Sequence, residues 1–278
     1  MTTGETGMNA AGGGGAGGAG GGGGGGAAWT STDLAASPHA VSDKQERVRR
    51  MFAAIAGSYD LNNRVHSFGL DQRRRRFTVR QANLKGGESV LDCACGTGDL
   101  SRLFAGQLER LGGGKVTGLD YTQEMLDVAK QKRTESAGPI AREIEYVRGD
   151  AQALPFADAS FDAVSIAFGI RNVQDPAKAA REFFRVLKPG GRLLVLEFDR
   201  PRNPLIRWGN DLYTRRIMPW TATLIAGDRS GAYKYLPKSV ETFLDRDAMR
   251  TMLLGAGFKE AAYTPLTFGV CVCHRAVK

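Results

Sequence analysis

The chain has 278 residues, 37 of them glycine, and its 38 basic and 29 acidic side chains give a formal charge of +9. No apolar run approaches the roughly 20 residues of a membrane-spanning helix, and the N-terminus lacks the pattern of a secretory signal or a transit peptide. The four cysteines form two C-x-C pairs, which fit neither a disulfide framework nor a C-x2-C zinc site. We therefore expect a cytoplasmic protein with buried free thiols and no metal site.

The first 43 residues differ in composition from the rest. Fifteen of the glycines precede residue 29, and no lysine or arginine precedes Lys44. Such a glycine/alanine run cannot bury enough apolar surface to offset its ordering entropy, so residues 1–43 are predicted to be a disordered tail. Deletion up to Ala36 is expected to leave activity intact. Residues 44–278 then form one domain with a charge of +12.

Helical spacing of Met51, Phe52, Ile55 and Tyr59 predicts an N-terminal helical extension over Lys44–Ala82. Short β-type runs then alternate with helices. The predicted strands are 89–93, 115–119, 144–147, 161–168 and 192–198, with two more in 262–275. One predicted helix begins near Leu100, and three others span 122–136, 176–187 and 246–257. Lys188–Gly191 is expected to end the helix at 176–187.

This alternation predicts the α/β class, with a doubly wound, Rossmann-like sheet of seven mostly parallel strands and helices on both faces. Residues 199–245 break the rhythm and are rich in aromatic side chains and arginine. We interpret them as a helical insertion after strand 5, and as a candidate homodimer surface.

In a doubly wound sheet, ligands bind beyond the carboxyl ends of the strands. The first strand ends near Asp92 and leads into a turn with Gly96 and Gly98, which permits close backbone approach. Asp120 follows the second strand, 22 residues after Gly98, where an acid can bind ribose hydroxyls. These features suit any adenosine cofactor.

The charges around the turn favour a cofactor without phosphates. Asp99 follows Gly98 directly, and Ser101 stands where a dinucleotide-binding turn has its third glycine. A carboxylate there would repel a pyrophosphate, whereas the ammonium and sulfonium of S-adenosylmethionine suit it. Asp150 could hydrogen-bond the adenine amino group, with small Ala151 giving the ring access. The alternative is that Asp99 and Asp150 merely cap helices.

At this point a specific resemblance is evident. Val90-Leu91-Asp92-x-x-Cys95-Gly96-Thr97-Gly98-Asp99 resembles motif I of the class I S-adenosylmethionine-dependent methyltransferases. A wider set of segments, from about Arg49 to Lys278, resembles the ubiquinone/menaquinone biosynthesis C-methyltransferases: Tyr59-Asp60-x-x-Asn63, Ser67–Gly69, Ala153–Phe156, Phe168–Asn172, Arg185–Gly191, Leu196–Phe198 and Tyr233-x-Tyr235-Leu236-Pro237-x-Ser239.

The resemblance implies methyl transfer from S-adenosylmethionine to a ring carbon of a polyprenyl quinol, with demethylmenaquinol favoured over a benzoquinol. It also implies cofactor contacts at Thr97, Asp120, Asp150, Ala151 and Ala167, the last in place of a serine common among relatives.

Two further positions depart from the family pattern. Arg74 replaces a common tryptophan and completes the run Arg73–Arg76. Ala94 replaces a usual glycine, which is tolerable if its φ is negative.

Carbon methylation requires a nucleophilic ring, which a phenolate provides. Arg171 is the candidate for stabilising the phenolate oxygen, and Asn172 for orienting the quinol or a water. The alternative is a structural pairing of Arg171 with Asp175 or Glu197. The proton acceptor stays open among Tyr59, Asp60, His66 and a bound water; these residues precede the first strand, in the segment expected to cover the site.

The basic surface has two interpretations. Arg49, Arg50, Arg73–Arg76 and Arg80 could hold the enzyme peripherally against anionic lipids on the inner face of a membrane, where its lipid substrate resides. The same charge could bind RNA, but Phe168–Asn172 is unlike the motif of enzymes that methylate exocyclic base nitrogens, so no nucleic-acid partner is expected. A third hypothesis, a binding protein without catalysis, is disfavoured by the intact motif I.

Overall fold

The computed structural model describes residues 28–29, 37–136, 138–218 and 232–278, with side chains in the last range from Tyr235 onward. Seven strands form one sheet in the order β3-β2-β1-β4-β5-β7-β6. All neighbours pair in parallel except β7, which is antiparallel to β5 and β6. The strands are β1 Glu88–Cys93, β2 Gly114–Asp120, β3 Glu145–Arg148, β4 Phe161–Ala167, β5 Leu187–Phe198, β6 Glu260–Leu266 and β7 Cys271–Val277.

Helices cover both faces of this sheet. One core packs α7 and α10 side chains, such as Phe183 and Leu253, against the strands, and a second core packs α3, α4 and α5 on the other face. The α-helices are α1 Lys44–Ile55, α2 Tyr59–His66, α3 Leu70–Gln81, α4 Asp99–Arg110, α5 Gln123–Thr134, α6 Pro139–Arg142, α7 Pro176–Val186, α8 Pro204–Leu212, α9 Ala232–Glu241 and α10 Arg246–Gly255. The predicted α/β class and mostly parallel seven-stranded sheet are confirmed.

Both predicted helical additions are present. The N-terminal extension consists of α1, α2 and α3, and the described part of the insertion consists of α8, a π-helical turn at Tyr213–Ile217, and α9. Residues 219–231, including Trp220, lie outside the described residues. No helix in the described ranges is both long and apolar enough to span a bilayer.

One local prediction was wrong. Gly190 and Gly191 do not terminate α7, which ends at Val186; they lie inside β5. Gly190 has a φ of 76°, and the pairing of β5 with β4 shifts register between Phe161 and Ala163. The glycines therefore form an irregularity within the strand, which locally changes its direction.

The part of the predicted tail that the structure describes packs on the domain. Trp29 is 1% exposed, and its ring stacks on Tyr235 with centroids 4.6 Å apart. A short 3-10 turn at Pro38–Ala40 leads into α1, where Lys44 donates to the Val173 carbonyl over 2.6 Å. The remainder of the predicted tail lies outside the described residues. The four cysteines are buried free thiols, as predicted.

Candidate active site

The glycine turn after β1 is held by the acid that follows β2. The backbone N–H groups of Gly96 and Thr122 each donate to Asp120, both over 2.8 Å. Gly96 and Gly98 have φ of 56° and 78°, a region that glycine adopts without strain. A Cβ on Gly98 would collide with the Tyr146 hydroxyl, so this position also requires a missing side chain.

A small cavity of about 100 Å³ lies above this turn. Helix α1 covers it with Gln45, Val48, Arg49 and Phe52. Five of the predicted cofactor residues lie in its wall: Gly96, Asp120, Asp150, Ala151 and Ala167.

The donor set of this cavity fits S-adenosylmethionine. Two carboxylates, Asp120 and Asp150, face the same space, and Arg49 in the wall is already paired with Glu46 at 2.7 Å. An added Cβ on Gly96 would meet no atom within 4 Å, so the turn leaves room for a ligand. Burial raises the pKa of Asp120, although backbone N–H groups favour its charged form. The site suits a cationic adenosine compound without phosphates.

Three predicted cofactor residues lie outside the wall of this cavity. Asp92 is buried beneath the turn, where its two oxygens accept from Ser165 and Ser101 over 2.8 and 2.6 Å. Burial raises the pKa of Asp92 to about 6. Gly98 faces Tyr146, and Thr97 donates to Asp60 over 2.6 Å. These residues support the turn rather than line the cavity.

The expectation that Asp99 faces the cofactor cation is not met in the structure. Lys132 of α5 lies between Asp60, at 2.8 Å, and Asp99. Burial would raise the pKa of Asp99, but the Lys132 charge outweighs it and holds this pKa below its usual value. Asp99 therefore belongs to an ion-pair cluster at the start of α4 and lines neither cavity.

A second, larger cavity of about 310 Å³ adjoins the first. The two share Phe52, Tyr59 and Phe168, so these aromatic rings form the junction between them. Phe168 has a φ of 57°, an unusual conformation for a bulky residue, at this junction. The second cavity is lined by further apolar side chains, among them Met51, Ile55, Phe198 and Val270. Its size and lining suit an aromatic acceptor.

Arg171 and Asn172 lie between the two cavities. Arg171, in the wall of the larger one, donates from Nη1 to Glu197 at 2.6 Å and to the Phe168 carbonyl at 2.9 Å. Asn172 lines the smaller one, and its amide oxygen accepts from the Tyr235 hydroxyl over 2.9 Å. Burial raises the pKa of Glu197, although the charge of Arg171 opposes this. The pairing of Arg171 with Glu197, weighed above as an alternative, is present.

The candidate proton acceptors lie in different parts of the structure. Tyr59 lines both cavities and His66 lines the larger, whereas Asp60 belongs to the Lys132 cluster. Burial lowers the pKa of His66, so its imidazole is neutral at pH 7 and able to accept a proton.

The structure bears on both departures from the family pattern. Ala94 has a φ of 51°, so the negative φ that would make alanine tolerable there is absent. Arg74 and Arg75 are each only 7% exposed and line the larger cavity, so Arg73–Arg76 is not one surface patch. Sequence reasoning missed these two as site residues. The available signal was the period: four consecutive residues of a helix span most of its circumference, so some must face inward.

Comparison with known proteins places this geometry in a family. Residues 40–278 match the model of the ubiE/COQ5 methyltransferase family. The chain is 42% identical over 240 residues to the ubiquinone/menaquinone biosynthesis C-methyltransferase UbiE of Hahella chejuensis, covering 86% of this chain and 94% of that protein. It is 41% identical over 241 residues to the same enzyme of Escherichia coli, covering 86% and 93%.

Solved structures share the fold at lower identity. A methyltransferase of Thermotoga maritima aligns with a TM-score of 0.55 and 21% identity, covering 82% of this chain and 99% of that one. Phosphoethanolamine N-methyltransferase 2 of Haemonchus contortus, solved with S-adenosyl-L-methionine, aligns with a TM-score of 0.53 and 19% identity, covering 72% and 50%. By its family match, sequence identity and cavity chemistry, the chain belongs to the ubiE/COQ5 methyltransferase family and is an S-adenosylmethionine-dependent methyltransferase.

Proposed function

We propose that the enzyme methylates a ring carbon of a polyprenyl quinol in quinone biosynthesis, with demethylmenaquinol as first acceptor and the corresponding 2-methoxy-6-polyprenyl-1,4-benzoquinol as second. The observation that carries the proposal is the pair of adjoining cavities, which meet at Phe168: a small one that holds two carboxylates, and a larger one lined by aromatic, aliphatic and charged side chains. The names of the relatives support the quinone assignment. No observation favours RNA as the acceptor.

When bound, S-adenosylmethionine supplies a methyl group on a positively charged sulfur. Asp120 and Asp150 would hold it in the smaller cavity, and Asn172 is oriented there by Tyr235. The ring of the acceptor would lie in the larger cavity against Phe168 and the other apolar side chains. Because the two cavities share walls, both reactants are confined at one junction, and such positioning contributes most of the acceleration in a displacement at a good leaving group.

Activation of the ring requires removal of the hydroxyl proton. Neutral His66 in the wall of the larger cavity is the proposed acceptor of that proton, directly or through water. Arg171, with its charge offset by Glu197, holds the Phe168 carbonyl and so fixes the junction.

Peripheral membrane contact is a further part of the proposal, with an apolar surface in addition to the exposed arginines Arg50, Arg73, Arg76 and Arg80. Large side chains are exposed on elements that line the larger cavity: Phe68 is 78% exposed, Trp208 65% and Leu205 74%, and Phe268 beside the wall residue Thr267 is 81% exposed. Such side chains can insert at the headgroup boundary and bring the cavity mouth to a lipid-dissolved quinol. A homodimer through α8 is the competing use of Leu205 and Trp208, and light scattering without lipid would reveal it.

The test of the proposed activity is incubation with labelled S-adenosylmethionine and, in separate reactions, demethylmenaquinol, the demethylated benzoquinol and bulk RNA. We expect label in the quinols, with the ratio of kcat/KM values identifying the preferred ring. Label in RNA and in neither quinol would refute the proposal. Sedimentation with anionic vesicles tests the membrane surface, with Trp208→Ser expected to reduce the bound fraction while turnover of a short-chain acceptor stays unchanged.

A further inference from the structure

Helix α3 places two buried arginines in the wall of the larger cavity. Arg74 and Arg75 are each 7% exposed, whereas Arg73 and Arg76 of the same run point to solvent. Side chains of Asp71, Thr78 and Val79 share the buried side of the helix. Long cationic side chains are seldom buried without a partner that compensates for the lost hydration.

Three other arginines in or beside the wall of this cavity are paired with carboxylates. Arg171 pairs with Glu197, Arg246 with the wall residue Asp199, and Arg215 with Glu241. Within the described part of the chain, no carboxylate oxygen lies within 4.0 Å of a side-chain nitrogen of Arg74 or Arg75. The described part of the cavity wall therefore holds two positive charges without an ion-paired carboxylate, and Arg75 acts on Asp92 and Asp99 only from beyond 4.0 Å.

Arg75 is the one nearer the junction. Its guanidinium carbon lies 5.5 Å from the centre of the Phe168 ring, the wall shared with the cofactor cavity. Its Nε has no hydrogen-bond partner among the described residues. Arg74 instead donates from Nε to the Thr267 hydroxyl over 3.0 Å. A buried, unsatisfied charged donor is costly, so a ligand oxygen that accepts from it gains more than it would at the surface.

We propose that Arg75 binds the acceptor's ring oxygen as a phenolate and is a catalytic residue of the methyl transfer. The inference deepens the proposed function and rests on it. A phenol ordinarily ionises near pH 10, judging by tyrosine, so at neutral pH the reactive form is scarce unless a cation favours it. Arg171 cannot supply that cation to the same degree, because Glu197 neutralises it at 2.6 Å.

The atoms of the step balance without a further reactant. The hydroxyl O–H bond breaks, and its proton passes to His66 or water while Arg75 holds the oxygen. The ring carbon beside that oxygen then forms a bond to the methyl carbon, the sulfur–methyl bond breaks, and its electron pair stays on sulfur. The same ring carbon loses its hydrogen as a proton to solvent, which restores the aromatic ring.

The test compares Arg75→Gln, Arg75→Lys and the matched control Arg76→Gln in the full chain, with a short-chain quinol in solution. For Arg75→Gln we expect kcat at pH 7 to fall about 10²- to 10³-fold, as on removal of one oxyanion-stabilising donor. The pH profile of kcat should shift so that part of the rate returns at alkaline pH. Arg75→Lys should lose less, and Arg76→Gln should stay within about 2-fold of wild type. Cofactor affinity by calorimetry should be nearly unchanged in all three.

A binding measurement separates charge stabilisation from a structural role. The absorbance of a naphthol bound in the presence of S-adenosylhomocysteine reports its ionisation, and its apparent pKa should be depressed in wild type and in Arg75→Lys but not in Arg75→Gln. A uniform loss of kcat with an unshifted pH profile, or equal naphthol ionisation in wild type and Arg75→Gln, would overturn the inference alone. Absence of quinol turnover in wild type would overturn the proposed function and this inference with it.

Discussion

The buried ion pair of Arg171 and Glu197 gives a prediction about stability that also separates folding from catalysis. The two side chains are 6% and 2% exposed, and Nη1 lies 2.6 Å from Oε1. Arg171→Met or Glu197→Gln alone leaves one partner buried without its countercharge. Removal of one partner from a buried pair costs about 3–5 kcal/mol, and we expect each single variant to lose an amount in this range.

The double variant Arg171→Met/Glu197→Gln should be much less destabilised than the two losses combined. It removes both charges, so neither is left uncompensated, and replacing a buried ion pair by uncharged groups is often close to neutral. For a domain of this size, about 1 kcal/mol shifts the melting temperature by about 2–4 °C, so each single variant should melt roughly 6–20 °C below wild type. The double variant should recover at least about 2 kcal/mol relative to either single one.

Urea unfolding followed by circular dichroism measures all four corners of this cycle. Strict additivity of the single losses, or single losses below about 1 kcal/mol, would show that the pair does not act as a coupled unit. Turnover of the double variant adds a functional result, because this protein is folded but lacks the guanidinium. Residual activity well above that of Arg75→Gln would place the phenolate-stabilising charge on Arg75 rather than on Arg171.

Three further predictions concern the turn and the N-terminal segment. Burial raises the pKa of Asp92 from 3.8 to about 6, so the unfolded carboxyl ionises first as the pH rises, and the stability of wild type relative to Asp92→Asn should fall by about 3 kcal/mol between about pH 4 and 6. A wild-type-minus-variant difference that stays constant with pH in urea titrations would contradict this. Ala94→Gly should raise the melting temperature by about 1–3 °C, because relief of left-handed backbone strain at a φ of 51° exceeds the entropic cost of glycine. A lower melting temperature would show that Ala94 is not strained. Deletion of residues 1–27 should leave the free energy of unfolding unchanged. Deletion of residues 1–36 also removes Trp29, which is buried against Tyr235, and should cost about 2 kcal/mol, with methyl transfer retained in both variants. Equal stability of the two deletion variants would show that Trp29 contributes nothing.

The sequence was sufficient to predict the sheet and five of the residues that line the smaller cavity. Each strand is a short apolar run followed by a loop, and loops at the carboxyl ends of neighbouring parallel strands necessarily meet. Gly96, Asp120, Asp150, Ala151 and Ala167 all line the predicted cavity for this reason.

The direction in which an individual acid points was not predictable. Asp92 faces away from the cavity because its carboxylate accepts hydrogen bonds from the hydroxyls of Ser101 and Ser165. These serines lie 9 and 73 residues further along the chain. Asp99 is likewise drawn to Lys132, 33 residues away. Whether a carboxylate after a strand binds a ligand or stays in the protein depends on such distant partners, which a local pattern does not contain.

The two cavities differ in charge, and the residues that separate them also hold the ion pair. Phe168 forms their shared wall, its carbonyl accepts from Nη1 of Arg171 and Nδ2 of Asn172, and its own N–H donates to Leu196 over 2.7 Å. Loss of Arg171 would therefore displace the wall as well as remove a charge, and a fall in activity would have two explanations. The guanidinium of Arg75 lies 5.5 Å from the centre of the Phe168 ring, and the hydrogen bonds of the Phe168 backbone go to Arg171, Asn172 and Leu196, so replacement of Arg75 by glutamine changes the charge of the acceptor cavity and leaves those bonds in place. For this reason the pH profile of Arg75→Gln is the measurement that tests electrostatic activation of the acceptor.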